Sequence, residues 1–228
     1  MKVAHKAILI GLSIVATVYG CSTQPPVENV VQNADIKIIS PWPGKVRESS
    51  ALASHAGMLW TLNDSGDKAQ VYAIDTEHRV SKTVQIQGAQ NIDWEEMAQD
   101  EEHLYIFDCG NNRGKRDHLQ IYKTQWQDLQ QAKDGSQVSA ETITFSYADK
   151  PEKVNAGFHD YDCEAVAAVG DQLWLFTKNR RDQHTNLYVL DKSKPVQSIQ
   201  PHAKYPVKGL ITAADYDPKS QMLVLLGY

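Results

Sequence analysis

One pair of strand-like segments recurs along this chain, and that repeat narrows the folds open to it more than any other feature. Ser49-Ser50-Ala51-Leu52-Ala53 leads to Met58-Leu59-Trp60, Glu95-Glu96-Met97-Ala98 to His103-Leu104-Tyr105, and Glu164-Ala165-Val166-Ala167 to Gln172-Leu173-Trp174. In each copy a small-residue segment is followed seven positions later by an aromatic-rich one (52 to 59, 97 to 104, 166 to 173). A weaker fourth copy runs from Thr212-Ala213-Ala214-Asp215 to Met222-Leu223-Val224. The copies are spaced by 45, 69 and about 48 residues, where one four-stranded propeller blade spans about 40 to 50. The polar stretch Gln125 to Gly135, with room for a short helix, accounts for the long middle interval.

Between the copies the apolar runs are short and bounded by Gly, Asn and Asp, with little helical periodicity, which points to antiparallel β structure. The reading is an all-β propeller. Blade one is expected at 49–54, 58–63, 70–75 and 80–87, and blade two at 94–99, 103–108, 119–124 and 141–147. Blade three is expected at 163–169, 172–178, 186–191 and 196–205. A half blade follows at 210–216 and 221–228. Small side chains suit inner strands crowded around a central channel, and the bulkier second strands pack between blades. About three and a half blades are present. The apolar run Met222 to Leu226 would leave a bare hydrophobic edge, and Ile36 to Ile39 resembles the closing strand of a missing blade, so the expectation is a propeller truncated from a longer one; an open, partly closed β array, stable as it stands, is the alternative.

Residues 1–20 have the parts of an export signal: Lys2 and Lys6, an apolar stretch from Ala7 to Val18, and Gly20 before Cys21. Val18-Tyr19-Gly20-Cys21 resembles a bacterial lipobox, in which the cysteine is acylated. A plain secretory peptide and an uncleaved anchor are the alternatives, although the stretch is shorter than the roughly 20 apolar residues of a spanning helix. Loss of residues 1–20 leaves 21 basic against 28 acidic residues. Such a domain has no polybasic patch for anionic headgroups, so membrane attachment rests on lipid at Cys21. Nor does the net charge of −5 give an electrostatic reason for a nucleic-acid partner. Ser22, where inner-membrane retention would place an aspartate, implies the outer membrane, periplasmic face. Residues 21–34, with Pro25 and Pro26, read as a flexible tether, and 35–228 as the propeller.

In a propeller the starts of the inner strands and the ends of the second strands share one face. That places Glu48, Asp93, Glu95, Asp160, Asp162 and Glu164 around the channel mouth. Beside them fall Asn63-Asp64-Ser65-Gly66, Asp108 to Arg113 with Asn112, and Lys178-Asn179-Arg180. Carboxylates packed so closely repel unless a cation or bound protons neutralise them, and Asp, Glu and Asn are hard oxygen ligands suited to Ca²⁺. The same segments are also good turn sequences, whose carboxylates can cap backbone amides. Arg113, Arg116, Lys178 and Arg180 either bind an anionic ligand or pair with neighbouring acids. The histidines show no paired spacing and no HExxH pattern, so zinc has little support. Trp94 is read as packing between blades, with Glu96 facing away from Glu95 because side chains alternate along a strand.

Cys109 and Cys163 should lie on the same face of adjacent blades. An exported protein allows a disulfide between them if their Cα atoms approach within about 7 Å. Two separate buried thiols are the alternative. No neighbouring histidine activates either cysteine as a nucleophile.

Asp108-Cys109-Gly110-Asn111-Asn112-Arg113 after Leu104-Tyr105-Ile106-Phe107 resembles an NHL-type blade. With Glu48-Ser49-Ser50, Asn63-Asp64-Ser65-Gly66 and Asn91-Ile92-Asp93-Trp94-Glu95-Glu96, the order of motifs is similar to secreted bacterial six-bladed propellers with a DWED-like signature. Glu96 stands where that signature has Asp, and Asn111 where Asp is common. The resemblance implies a six-bladed parent. The lipobox, the blade repeat and the absence of any nucleophile–base pair at recognisable spacing lead to the expectation of a lipoprotein that binds a small-molecule or protein ligand at its channel-mouth face, without chemistry. Glu48, Asp64, Asp93, Glu95, Asp108, Asn112, Glu164, Lys178 and Arg180 are the candidate contacts. More distant propellers of this kind include Ca²⁺-dependent phytases and lactonases. They suggest an alternative, a Ca²⁺-dependent hydrolase of phosphate esters or lactones, with Asp64, Glu95, Asp108 and Glu164 as ligands and a metal-bound water as nucleophile. The chain lacks a dense Lys/Arg phosphate-binding set.

Overall fold

The computed structural model describes residues 6–10 and 43–228. It is built almost wholly of strands. β1 (Lys6–Ile10) precedes the first repeat, which forms β2 (Ser49–His55), β3 (Met58–Asn63), β4 (Gln70–Ile74) and β5 (Val80–Ile86), an antiparallel meander. The second repeat forms β6 (Trp94–Gln99), β7 (His103–Asp108), β8 (Leu119–Gln125), α1 (Trp126–Gln131), β9 (Gln137–Val138) and β10 (Glu141–Tyr147). The third forms β11 (Cys163–Val169), β12 (Gln172–Thr177), β13 (Thr185–Asp191), β14 (Val196–Ile199) and β15 (Pro201–Tyr205), and the fourth β16 (Ile211–Asp217) and β17 (Met222–Gly227). The inner strands β2, β6, β11 and β16 neighbour one another in that order. This is an incomplete propeller of three four-stranded blades and a half blade.

The local chemistry explains the hairpins. The β2–β3 turn has Ala56 and Gly57 at φ 50° and 77°, the paired left-handed conformation whose twist matches flanking strands. Packing between blades supplies the core. Trp60 and Leu62 from blade one join Trp94, Leu104, Ile106 and Trp126 from blade two. A second cluster unites Phe107, Ile121 and Phe145 with Val166, Leu175 and Tyr188, and a third sets Phe176 and Leu187 against Ile211 and Leu225. Each cluster crosses a blade boundary, so a blade cannot bury its apolar faces alone. Trp94 is fully buried, and its Nε1 donates to the Gln90 carbonyl at 2.9 Å.

The expected segment 196–205 is corrected to two strands in different sheets. β15 pairs antiparallel with β13, whereas β14 pairs parallel with β10 of the preceding blade. β9 does the same for blade one, pairing parallel with β5. Pro201 has no N–H with which to continue one ladder, and the chain changes sheets just before it. Both outer edges thereby gain a covering strand from the next repeat, which removes an open template for aggregation.

The edge of β17, expected to be bare, is paired in the unprocessed chain: β1 lies antiparallel along it, from Lys6 opposite Gly227 to Ile10 opposite Leu223. These five residues fall within the segment read as an export signal, so cleavage before Cys21 would remove β1 and expose that edge. The tether, Cys21 and the segment Ile36 to Ile39 lie outside the described residues. No helix among the described residues is long and apolar enough to cross a membrane.

Candidate functional site

Every inner strand carries the same irregularity near its start. The register shifts between Ser49 and Ala51, Trp94 and Glu96, Cys163 and Ala165, and Ile211 and Ala213. The extra residues are Ser50, Glu95, Glu164 and Thr212. A bulge bends its strand and re-aims a side chain, so at equivalent points of adjacent blades two carboxylates and two hydroxyls are offered where an ordinary ladder would offer none.

Glu95 leads the group. It is 9% exposed, with no hydrogen-bonding or ionic side-chain partner among the described residues. Carboxylate oxygens of Asp64, Asp93 and Glu95 all lie within 4.8 Å of one another. Asp64 is set by its N–H, which donates to the Glu48 carbonyl at 2.9 Å, and by Asn91 Nδ2, which donates to the Asp64 carbonyl at 2.9 Å. Asp93 is set by its N–H to Asp108 Oδ1 at 3.0 Å and by Gly110 N–H donating to its carbonyl at 3.0 Å. Gly110 must lack a side chain here. A Cβ would stand 2.4 Å from Asp93 Oδ2 and 2.4 Å from Glu95 Oε1.

The electrostatics follow from this crowding. Burial, then the charge of Asp64, pushes the Asp93 carboxyl up to about 6. Burial together with the facing Glu164, Asp64 and Asp93 pushes Glu95 far above the usual carboxylate range. Glu164 rises too, through burial and Asp162, against the pull of Lys178.

The other acids at this face are already compensated. Asp108, fully buried, pairs with Arg116 Nη2 at 2.9 Å, while its Oδ2 has no hydrogen-bond partner. Asp162 accepts from Arg180 Nη1 and, at 2.9 Å, from the Asn111 N–H. Lys178 Nζ lies 3.0 Å from Glu164 Oε2, and Arg180 Nη2 donates to Asn112 Oδ1 at 2.7 Å. Of the four residues expected to hold a metal, then, Asp64 and Glu95 come together, with Asp93 as the third member. Asp108 and Glu164 instead hold basic side chains. Glu48 is exposed and engages the group through its backbone carbonyl.

Cys109 and Cys163 form a disulfide with Cα atoms 5.5 Å apart. It ties the segment carrying Asp108 and Gly110 to the segment carrying Asp162 and Glu164. Gly110 is not among the site residues the sequence points to. Its signal was a glycine inside a run already recognised as a turn, which hid its second role as the floor of the carboxylate group.

These features define a β-propeller with an uncompensated acidic group at one end of its inner strands. No protein-family model matches the chain, and no curated sequence matches it significantly. Among solved structures, it is similar to the computationally designed Ika4 protein at 10% identity and a TM-score of 0.41, covering 83% of this chain and 98% of that one. It is also similar to the Cps50 (Swd1) β-propeller domain of Myceliophteria thermophila, at 12% identity and a TM-score of 0.42, covering 85% of this chain and 58% of that one. The Pan2 WD40 domain of Neurospora crassa matches at 9% identity and a TM-score of 0.29, covering 78% and 74%.

Proposed function

We propose that this chain is an envelope lipoprotein, held by lipid on Cys21 at the periplasmic face of the outer membrane, which binds a ligand or protein partner at its channel mouth through a divalent cation. The observation that carries the cation is that Asp64, Asp93 and Glu95 converge within 4.8 Å with no basic partner among the described residues, while the neighbouring Asp108, Asp162 and Glu164 each have one. Three hard oxygen donors suit Ca²⁺, which takes about 6 to 8 oxygens and would draw the rest from water and from the partner. The cation supplies charge that lets an anionic group bind at an acidic rim. The hydrolase alternative has less support, because two of its four expected ligands are held by Arg116 and Lys178.

Calorimetric titration of the purified full chain with CaCl2 is expected to show one saturable site, in the roughly millimolar range or tighter that extracellular Ca²⁺ modules occupy. Asp93→Asn and Glu95→Gln abolish it. Gly110→Ala weakens it about tenfold or more, since the new methyl group forces the Asp93 and Glu95 carboxylates apart. Absence of heat at millimolar Ca²⁺, or full binding by Glu95→Gln, overturns the cation site.

The anchoring is tested separately. Wild-type protein is expected in the outer-membrane fraction and Cys21→Ser in a soluble or inner-membrane fraction, by immunoblot. Co-fractionation of Cys21→Ser with the outer membrane would show that lipid is not the anchor.

A further inference from the structure

A cavity lies beside the inner strands whose lining does not include Asp64, Asp93 or Glu95. It has a volume of about 350 Å³ and opens between β2 and the β16–β17 pair, with Leu52, Val224 and Leu226 on its walls. That size is near the lower end for small-molecule pockets, about 300 to 1,000 Å³. Two acidic residues, Glu96 and Asp215, also line it.

Their place in the repeat makes them unusual. When the inner strands are aligned on their bulges, the position of Glu96 is occupied by Ala51, Ala165 and Ala213 in the other three. Asp215 stands where the others have Ala53, Ala98 and Ala167. Both departures from alanine are to a carboxylate, and both reach the same cavity. Glu96 is 4% exposed; its Oε1 accepts the Met97 N–H at 2.9 Å and its carboxylate is also held by the Ala214 N–H of β16, while no basic side chain pairs with it among the described residues. Two backbone N–H groups satisfy part of this carboxylate but do not neutralise its charge, and a buried carboxylate without a counter-charge is costly; three sister strands use a methyl group at the same place.

We infer that this cavity is a binding site for a small organic cation, a primary amine with an apolar body, whose ammonium group sits between Glu96 and Asp215. The apolar body lies against Leu52, Val224 and Leu226. An ammonium offers three donors to carboxylate oxygens, and its stem gains from leaving water. A hard metal ion is less well served here than at the three-carboxylate group, because the apolar walls Leu52, Val224 and Leu226 offer no oxygens and the hydroxyl of Ser50 is already engaged with the Trp94 carbonyl at 3.1 Å. The site does not depend on the cation group at Glu95.

The test is calorimetric titration of the full chain with n-hexylammonium, n-hexanol and hexanoate. Hexylammonium is expected to bind saturably, and hexanol and hexanoate at least tenfold more weakly. Glu96→Gln lowers the hexylammonium affinity at least tenfold. Asp215→Asn lowers it several-fold at an exposed residue where folding is not at stake, and Glu95→Gln leaves it unchanged. Equal binding of hexanol, unchanged affinity in both Glu96→Gln and Asp215→Asn, or displacement of the amine by Ca²⁺ in the Glu95→Gln protein overturns the inference.

Discussion

Breaking the Cys109–Cys163 bond, by reduction or by Cys109→Ala with Cys163→Ala, is expected to lower the unfolding free energy by about 4 kcal/mol. The estimate follows from a bridge spanning 54 residues, whose removal frees the unfolded chain to explore far more conformations. For a domain of this size the midpoint should fall by roughly 10 °C. Both cysteines are fully buried in the core between blades two and three, so their loss also loosens a boundary that other contacts only partly hold. Those contacts include Asn111 N–H to Asp162 Oδ1 at 2.9 Å and Arg180 Nη2 to Asn112 Oδ1 at 2.7 Å. They remain in the reduced protein, as does the Gly110 N–H bond to the Asp93 carbonyl. Ca²⁺ affinity should therefore fall much less than stability. Urea unfolding followed by tryptophan fluorescence, with and without a phosphine reductant, reads the first effect, and calcium titration of the reduced protein reads the second. An unchanged midpoint on reduction would show that the bridge contributes nothing. A structural bond of this kind persists only in an oxidising compartment, so its presence in protein isolated from cells also bears on export.

The strands were legible because their chemistry is local. Alternation and bounding turn residues place 94–99, 103–108, 141–147 and 163–169 where β6, β7, β10 and β11 lie. What a short polar segment does after leaving its own blade is not local. β9 and β14 carry little hydrophobic pattern, and their parallel pairing with β5 and β10 depends on where the previous blade ends in space. The channel-mouth face was legible at the level of strand ends and not of side chains. Asp108 meets Arg116 eight residues later, and Glu164 meets Lys178 from the far end of the adjoining strand. Which acids keep a free charge follows from those pairings. The bulges matter as much. One extra residue per inner strand sends Glu95 to the rim and Glu96 toward the cavity, a divergence that alternation along the strand anticipates in kind but not in destination.

The crowded carboxylates at this face also set how stability varies with pH. Asp93 ionises at about 6 in the folded protein against 3.8 in the ordinary state, and Glu95 and Glu164 are raised as well. Between pH 4 and 6, then, the folded chain binds more protons than the unfolded chain, and stability falls as pH rises. The contribution of Asp93 is fully present below its unfolded value and is lost as pH passes through 6; Glu95 and Glu164 extend the loss upward. Asp100 acts elsewhere: against the burial that opposes it, hydrogen bonds from Lys192 and Tyr105 hold it to about 2, so its contribution is lost only in acid, below pH 4. Screening by solvent and by Arg116 and Lys178 reduces the sum for the acidic group to about 3 kcal/mol. Without divalent cations the thermal midpoint should drop by roughly 5 to 10 °C between pH 4 and 8. Ca²⁺ competes with those protons. At pH 8, Ca²⁺ at about 100 times its dissociation constant should restore about 2.7 kcal/mol, whereas at pH 5 the same concentration should do little. Glu95→Gln should both flatten the metal-free drop and abolish the calcium shift. Differential scanning calorimetry over that pH range checks both, and a metal-free midpoint that rises with pH, or a calcium shift equal at pH 5 and 8, would show that the convergent carboxylates are not what the cation neutralises.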